Sequence, residues 1–293
     1  MLTSVPIPVQ QGVLKILHQH HSSSVVLSGF SFTLGGCINH GGKLVTSAGP
    51  YFLKWNDAKK YPDMFAAEAE GLTLLQNAGA IHVPAVIGTG VEESFQFLVL
   101  SYIDSKPKTK NFWRNLGQQL ASLHRVTNDR AGLPHDNYIG SLPQFNLQHT
   151  SWIEFFISQR LEAQLSLMEN SDSVLTHQFE SLFKKLPSLL AEEKHSLLHG
   201  DLWSGNLIAN QNGDPCFIDP AVYFGNREIE ISYTQLFGGF DIEFYASYHE
   251  AFHLQPGFEQ RALIYNLYPL LVHVNLFGGG YLEQVKSILR KFA

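Results

Sequence analysis

Two carboxylates and an amide sit at fixed separations in Leu198-His199-Gly200-Asp201-Leu202-Trp203-Ser204-Gly205-Asn206 and the later Phe217-Ile218-Asp219-Pro220. Asp201 and Asn206 are five residues apart, and Asn206 and Asp219 thirteen. The apolar run Cys216-Phe217-Ile218 precedes Asp219, so its carboxylate emerges from a strand end. Gly200 lets the first loop turn tightly. The pattern asks for a small β platform whose turns bring three oxygen-bearing side chains together.

Around that platform the chain changes character. Val9 to His20 reads as a short amphipathic helix, its histidine tail (His18, His20, His21) belonging to a surface helix end. Val25–Leu34, Lys43–Ser47 and Tyr51–Trp55 are strand-like runs separated by the glycine pairs Gly35-Gly36 and Gly41-Gly42 and by Gly49-Pro50. Met64 to Gln76 is helical, and Pro84–Val86 and Phe95–Tyr102 supply two more strands. From Trp113 onward the periodicity is mostly helical: Trp113–His124, Ser151–Met168, His177–Leu190 and the chain from Tyr233. The expected fold class is α+β and bilobal. Residues 1–103 form an N-terminal lobe with a five-stranded antiparallel sheet plus a helix, and residues 104–293 form a larger, mainly helical C-terminal lobe.

Composition bounds the function. The 293 residues are 44% hydrophobic and 16% charged, which favours a filled interior over disorder. A net charge of −6 with scattered Lys and Arg argues against nucleic acid as a partner. Two cysteines are too few for a secreted disulfide framework. No leader-like start and no apolar run of about 18 residues is visible, so a cytoplasmic protein without membrane association is expected.

The chemistry that needs a base followed by two hard-oxygen ligands is phosphoryl transfer from ATP with Mg²⁺. Asp201 is the candidate base, and Asn206 and Asp219 the candidate metal ligands. Lys54 lies inside the apolar strand Tyr51–Trp55, a position suited to phosphate binding if a carboxylate holds it. Phe65, Glu68, Leu72 and Leu75 share one helical face, and Glu70 points about 200° away from Glu68. A carboxylate on the buried stripe needs a partner, so Glu68 is expected to pair with Lys54, and Glu70 to face solvent. The turn containing Gly35 and Gly36 lies where a phosphate-covering loop belongs. Cys37 at its tip reads as a small packing residue rather than a reactive thiol, because no cation is adjacent in sequence. Ser101, Tyr102 and Ile103 end a strand and open the inter-lobe linker, the place for adenine contacts.

These segments resemble the fructosamine kinase (ketosamine-3-kinase) family, related to aminoglycoside and choline phosphotransferases and to the protein-kinase-like fold. The resemblance rests on Phe52–Asn56, Met64–Glu68, His135–Gly140 with Gln144 and Asn146, His199–Asn206, Ile218–Glu228, Leu236–Phe240 and Tyr265–Pro269. It implies ATP-dependent phosphorylation of the sugar O3 hydroxyl of ketoamines, small molecules or glycated protein amines, in deglycation. It also implies Asp201 as base, Asn206 and Asp219 as Mg²⁺ ligands, and Lys54 with Glu68 as the phosphate-binding pair. Two departures stand out. Bacterial-type members tend to read Arg-Glu-Val-Asp-Leu-Ala where this chain has Arg227-Glu228-Ile229-Glu230-Ile231-Ser232, and the longer Glu230 puts in question any structural hydrogen bond that the Asp makes to the catalytic loop. Many relatives also carry Glu at the position of Ser101.

For the acceptor, the Trp203 ring is a candidate for stacking on a sugar face, with core packing as the alternative. Gln144 and Asn146 are candidates for amide bonds to its hydroxyls. Other readings are phosphorylation of an aminoglycoside or amino alcohol, and an inactive nucleotide-binding module. The module reading requires loss of Lys54, Asp201, Asn206 or Asp219, and all four are present. A protein kinase would close its activation loop with Ala-Pro-Glu, which is absent.

Overall fold

The computed structural model describes residues 1–33, 39–168, 173–278 and 280–292. The chain divides into two compact units, one of Met1–Thr109 with Ile208–Ile218, the other of Lys110–Leu207 with Asp219–Ala293.

In the first unit, helix α1 (Ile7–His21) precedes strands β1 (Leu27–Phe32), β2 (His40–Thr46) and β3 (Gly49–Asp57). Helix α2 (Met64–Ala78) and strands β4 (Val86–Glu92) and β5 (Phe95–Ser101) follow. The sheet order is β1-β2-β3-β5-β4, with every neighbouring pair antiparallel, as the α+β reading expects. Side chains of β3 alternate between the faces. Tyr51, Leu53 and Trp55 join Val9, Val13 and Leu17 of α1 in one core. Phe52 instead packs with Phe65, Ala69 and Leu72 of α2, together with Leu98 and Leu100 of β5. Lys54 shares the parity of Phe52, so the pleat delivers it to the side that α2 covers.

β2 begins at His40, so Gly41-Gly42 lies within the strand instead of before it, and β4 departs furthest from the sequence reading. β4 runs over Val86–Glu92 rather than Pro84–Val86. Gly88 and Gly90 break up its apolar alternation. A Cβ on Gly88 would lie 2.9 Å from Ile16, and one on Gly90 2.5 Å from Phe97, so close packing by a helix and a neighbouring strand demands glycine there.

The second unit opens with α3 (Phe112–Leu123) and short strands β6 (Thr127–Asn128), β7 (Asn137–Ile139) and β8 (Leu142–Gln144). The helix expected over Ser151–Met168 is composite: α4 (Trp152–Phe155), a π-helical stretch Phe156–Glu162, and α5 (Ala163–Ser166). The wider turn carries Arg160 fully into the interior. After α6 (Ser173–Leu189), β9 (His195–Leu198) leads into the His199–Asn206 loop. The hairpin β10 (Leu207–Ala209) and β11 (Pro215–Phe217), nearly all of which belongs to the first unit, precedes β12 (Tyr223–Gly225), which lies beside β9 in a β12-β9-β6 sheet. Five helices complete the chain: α7 (Glu228–Leu236), α8 (Ile242–Ala251), α9 (Phe258–Tyr265), α10 (Leu267–Phe277) and α11 (Gly280–Phe292). Among the described residues no helix is long and apolar enough to cross a membrane.

Candidate active site

The four residues of β9 are buried, and their pairing with β12 sets Leu198 opposite Tyr223. The loops leaving β9 and entering β12 are therefore neighbours. They are also bonded directly, the Ala221 N–H donating to the His199 carbonyl at 2.9 Å. Gly200 adopts φ +85°, and a Cβ there would fall 1.9 Å from the Ala221 carbonyl oxygen. No other residue fits that crossing.

Glu230, in the first turn of α7, spans both backbone donors of the loop. It accepts the Gly200 N–H at 2.7 Å and the His199 N–H at 3.2 Å. Its Oε2 also lies 2.9 Å from His124 Nε2. His124 is completely buried, and burial holds its pKa below the ordinary histidine value despite the nearby carboxylate. The Glu230 carboxyl sits below its own ordinary value: burial works against that, but bonding to His124 and the charge environment outweigh it. The pair is thus a neutral imidazole donating to a carboxylate. His124 Nδ1 then accepts the Tyr248 hydroxyl at 2.8 Å; that hydroxyl accepts from Arg227, which pairs with Glu193. The Glu at position 230 retains a grip on the catalytic loop.

Asp201 is gripped at both oxygens. The Tyr233 hydroxyl donates to Oδ1 at 3.1 Å, and Asn206 Nδ2 donates to Oδ2 at 2.8 Å. The same amide nitrogen reaches the Asp201 carbonyl at 2.9 Å and the Asp219 carbonyl at 3.4 Å. Burial pushes the Asp201 pKa up to about 7; the bonds from Tyr233 and Asn206 oppose that rise, and the charges of Asp219 and Glu230 add to it. A carboxylate poised there is suited to accept a proton near neutral pH. With its nitrogen committed to Asp201, Asn206 has its Oδ1 as the remaining side-chain donor atom for a cation. Asp219 is exposed and holds the left-handed conformation, φ +54°. An amide oxygen and a carboxylate are hard donors of the kind Mg²⁺ takes.

In the first unit, Lys54 Nζ donates to Glu68 Oε1 at 2.7 Å, with the side chains only 7% and 11% exposed. Glu70 is exposed. Ser101 faces back into its sheet, its Oγ accepting the Ala85 N–H at 2.9 Å. Lys43 Nζ sits 4.4 Å above the Tyr102 ring, and Ile103 is half-buried. Gly35, Gly36 and Cys37 lie outside the described residues.

Two acceptor expectations resolve differently. Trp203 is 40% exposed, its ring lying over Gly205, so core packing does not account for it. Gln144 and Asn146, expected at substrate hydroxyls, are buried instead. Gln144 Nε2 donates to Asn137 Oδ1 at 2.7 Å and to the Ala221 carbonyl at 3.0 Å, while its Oε1 accepts the Tyr268 hydroxyl at 2.7 Å. Asn146 Nδ2 donates to the His135 carbonyl and Asn137 Oδ1, and its Oδ1 accepts from Arg160. Every amide hydrogen on both residues is used inside the protein, which removes them from substrate contact.

Sequence reasoning passed over Tyr233, His124 and Asn137. Tyr233 was accessible: it stands three residues after Glu230 on one helix, the spacing that turns two side chains toward the same loop. His124 and Asn137 lie far from the catalytic loop in sequence, and no local periodicity links them to it.

A family model described as fructosamine kinase matches residues 9–293. A probable ketoamine kinase of Synechocystis sp. is 39% identical over 260 residues, covering 88% of each chain. A chloroplastic protein-ribulosamine 3-kinase of Oryza sativa subsp. indica is 36% identical over 291 residues, 96% of this chain and 82% of the relative. Among solved structures, a protein described as a putative fructosamine-3-kinase of Haemophilus somnus superposes with a TM-score of 0.88 at 26% identity, covering 97% of this chain and 98% of the other.

Proposed function

From the chain's membership of the fructosamine kinase family, we propose that it transfers the γ-phosphoryl group of ATP to the O3 hydroxyl of a ketoamine sugar. The observation that carries the reading is Asp201 bonded through one oxygen to Asn206, with Asp219 close enough to raise its pKa.

Asp201 accepts the proton of the acceptor hydroxyl as that oxygen attacks the γ-phosphorus, and the bond to the β–γ bridging oxygen breaks to release ADP. Tyr233 and Asn206 fix the direction in which the carboxylate faces. Asn206 Oδ1 and the Asp219 carboxylate are the residues that would hold Mg²⁺, which when bound neutralises phosphate charge. Lys54 supplies positive charge to the α- and β-phosphates and Glu68 keeps it in place. The Ser101–Ile103 backbone meets adenine. Trp203 offers its exposed ring to the apolar face of the sugar.

The relatives' names, ketoamine kinase and protein-ribulosamine 3-kinase, support a ribulosamine or fructosamine acceptor, free or on a protein amine, over nucleic acid. We place the enzyme in the cytoplasm, because two cysteines cannot supply the disulfide framework of a secreted domain.

The test is ADP release with Mg-ATP and a panel of ribulosamines, fructosamines, aminoglycosides and choline. Turnover with the ketoamines is expected. Turnover confined to aminoglycosides or choline overturns the acceptor class.

A further inference from the structure

Gln144 and Asn146 are withdrawn from substrate contact, yet they sit in a buried network of unusual cost. Asn137, Gln144 and Asn146 are all buried, and so is the Arg160 guanidinium. Arg160 donates to Asn146 Oδ1 at 2.9 Å and to the Phe145 and Gln159 carbonyls. It also lies 4.0 Å from the Tyr223 ring centre and 4.5 Å from that of Phe155. Placing a cation and three amides in an apolar interior is costly unless the arrangement fixes something that packing alone does not.

Its outputs are two consecutive carbonyls. Gln144 Nε2 holds Ala221 O at 3.0 Å, and Asn137 Nδ2 holds Val222 O at 2.8 Å. Ala221 is the joint of the site: its N–H bonds the His199 carbonyl, two residues before Asp201, and it lies two residues after Asp219. Asp219 itself holds φ +54°, a left-handed conformation that a non-glycine residue keeps where the surroundings over-determine it.

We propose that Gln144 and Asn137 are positioning residues that clamp the Ala221-Val222 backbone and so hold Asp219 at the right offset from Asp201 to ligate the metal of the nucleotide. The inference rests on the reading of Asn206 and Asp219 as metal ligands. Partners one shell removed from a metal commonly set its affinity by tenfold or more. The His135–Asn146 stretch thus acts on the metal rather than on the sugar.

The experiment measures metal gain, the ratio of ATP dissociation constants in EDTA and in Mg²⁺, by calorimetry on the full chain. Gln144→Met removes the donors to Ala221 and Asn137 at nearly constant volume. The expected result is a fall of about tenfold in metal gain, with the EDTA constant unchanged. A general structural defect would instead weaken both constants together, and that outcome, or an unchanged gain, overturns the proposal. If Gln144→Met does not fold, Tyr268→Phe decides: it removes only the hydroxyl that fixes Gln144 Oε1, and a smaller fall in gain is expected. No fall in that variant overturns the clamp. Wild-type protein without metal gain, or Asp219→Ala retaining it, overturns the underlying ligand assignment. Gain that is lost in Asp219→Ala but intact in the Gln144 or Tyr268 variant overturns the clamp alone.

Discussion

Tyr233 donates its hydroxyl to Asp201 Oδ1 at 3.1 Å, from the same helix whose Glu230 accepts the Gly200 N–H at 2.7 Å. One helix thus holds the loop by its backbone and the base by its side chain. Tyr233→Phe removes the second hold alone. We expect kcat to fall by about 10- to 100-fold with KM for ATP nearly constant, because orientation of the base matters only once the acceptor oxygen attacks. Asp201→Asn should be more severe, losing orders of magnitude in turnover while still binding ATP. Steady-state kinetics of both variants decide it; a Tyr233→Phe enzyme with unchanged kcat would show that Asn206 alone orients the carboxylate.

The Lys54–Glu68 pair gives an asymmetric prediction. Lys54→Met deletes the charge offered to phosphate and also breaks the nearly buried ion pair with Glu68. Glu68→Gln keeps a hydrogen-bond acceptor for the ammonium. KM for ATP should therefore rise more in Lys54→Met than in Glu68→Gln, and the acceptor KM should move little in either. Equal effects on both substrates would place the pair outside nucleotide binding.

Stability should fall in acid through the His124–Glu230 pair. Burial holds His124 below its ordinary value of 6.5, so the unfolded chain takes up that proton first as pH drops. Glu230 is held below its ordinary 4.5, so it too binds a proton more readily when unfolded. Both contributions are present at high pH; the histidine loss begins near 6.5 and the glutamate loss near 4.5. Thermal melting between pH 7.5 and 5 should show a midpoint that drops with acid, and His124→Gln should flatten that slope. An equally steep slope in the variant would assign the acid sensitivity to other groups.

The parts of the site that were legible in the sequence are those fixed by short-range geometry. Gly200 is dictated by a crossing with no room for a Cβ, and Glu68 by helical phase against Lys54. Four of the strands were legible as short apolar runs bounded by Gly- or Pro-containing breaks, and β4 was misplaced because its glycines serve packing rather than turning. The roles of Gln144 and Asn146 were not legible. An amide that serves a substrate and one that serves Ala221 look alike in sequence, and only the fold, bringing together residues 77 positions apart, distinguishes them. The reach of Glu230 was hidden for a similar reason: whether one extra methylene can still serve two backbone donors depends on where α7 begins.

Trp203 follows Asp201 by two residues and keeps 40% of its surface exposed, supported from beneath by Gly205. A Cβ on Gly205 would meet the indole at 2.2 Å, so the glycine lets the ring lie flat on the loop. A large aromatic left open beside the base is suited to stack on a sugar face. Trp203→Ala should raise KM for a ketoamine by about tenfold, the loss of roughly 1.4 kcal/mol of contact, with KM for ATP spared. Gly205→Ala should reproduce part of that loss by lifting the ring without deleting it, although Gly205 itself carries no side chain with which to touch the substrate. Initial rates with a fructosamine and with ATP, each varied in turn for both variants, read the two constants separately. Equal rises in both would end the stacking assignment, and so would a Gly205→Ala enzyme with unaltered acceptor KM, because the ring's position would then not matter.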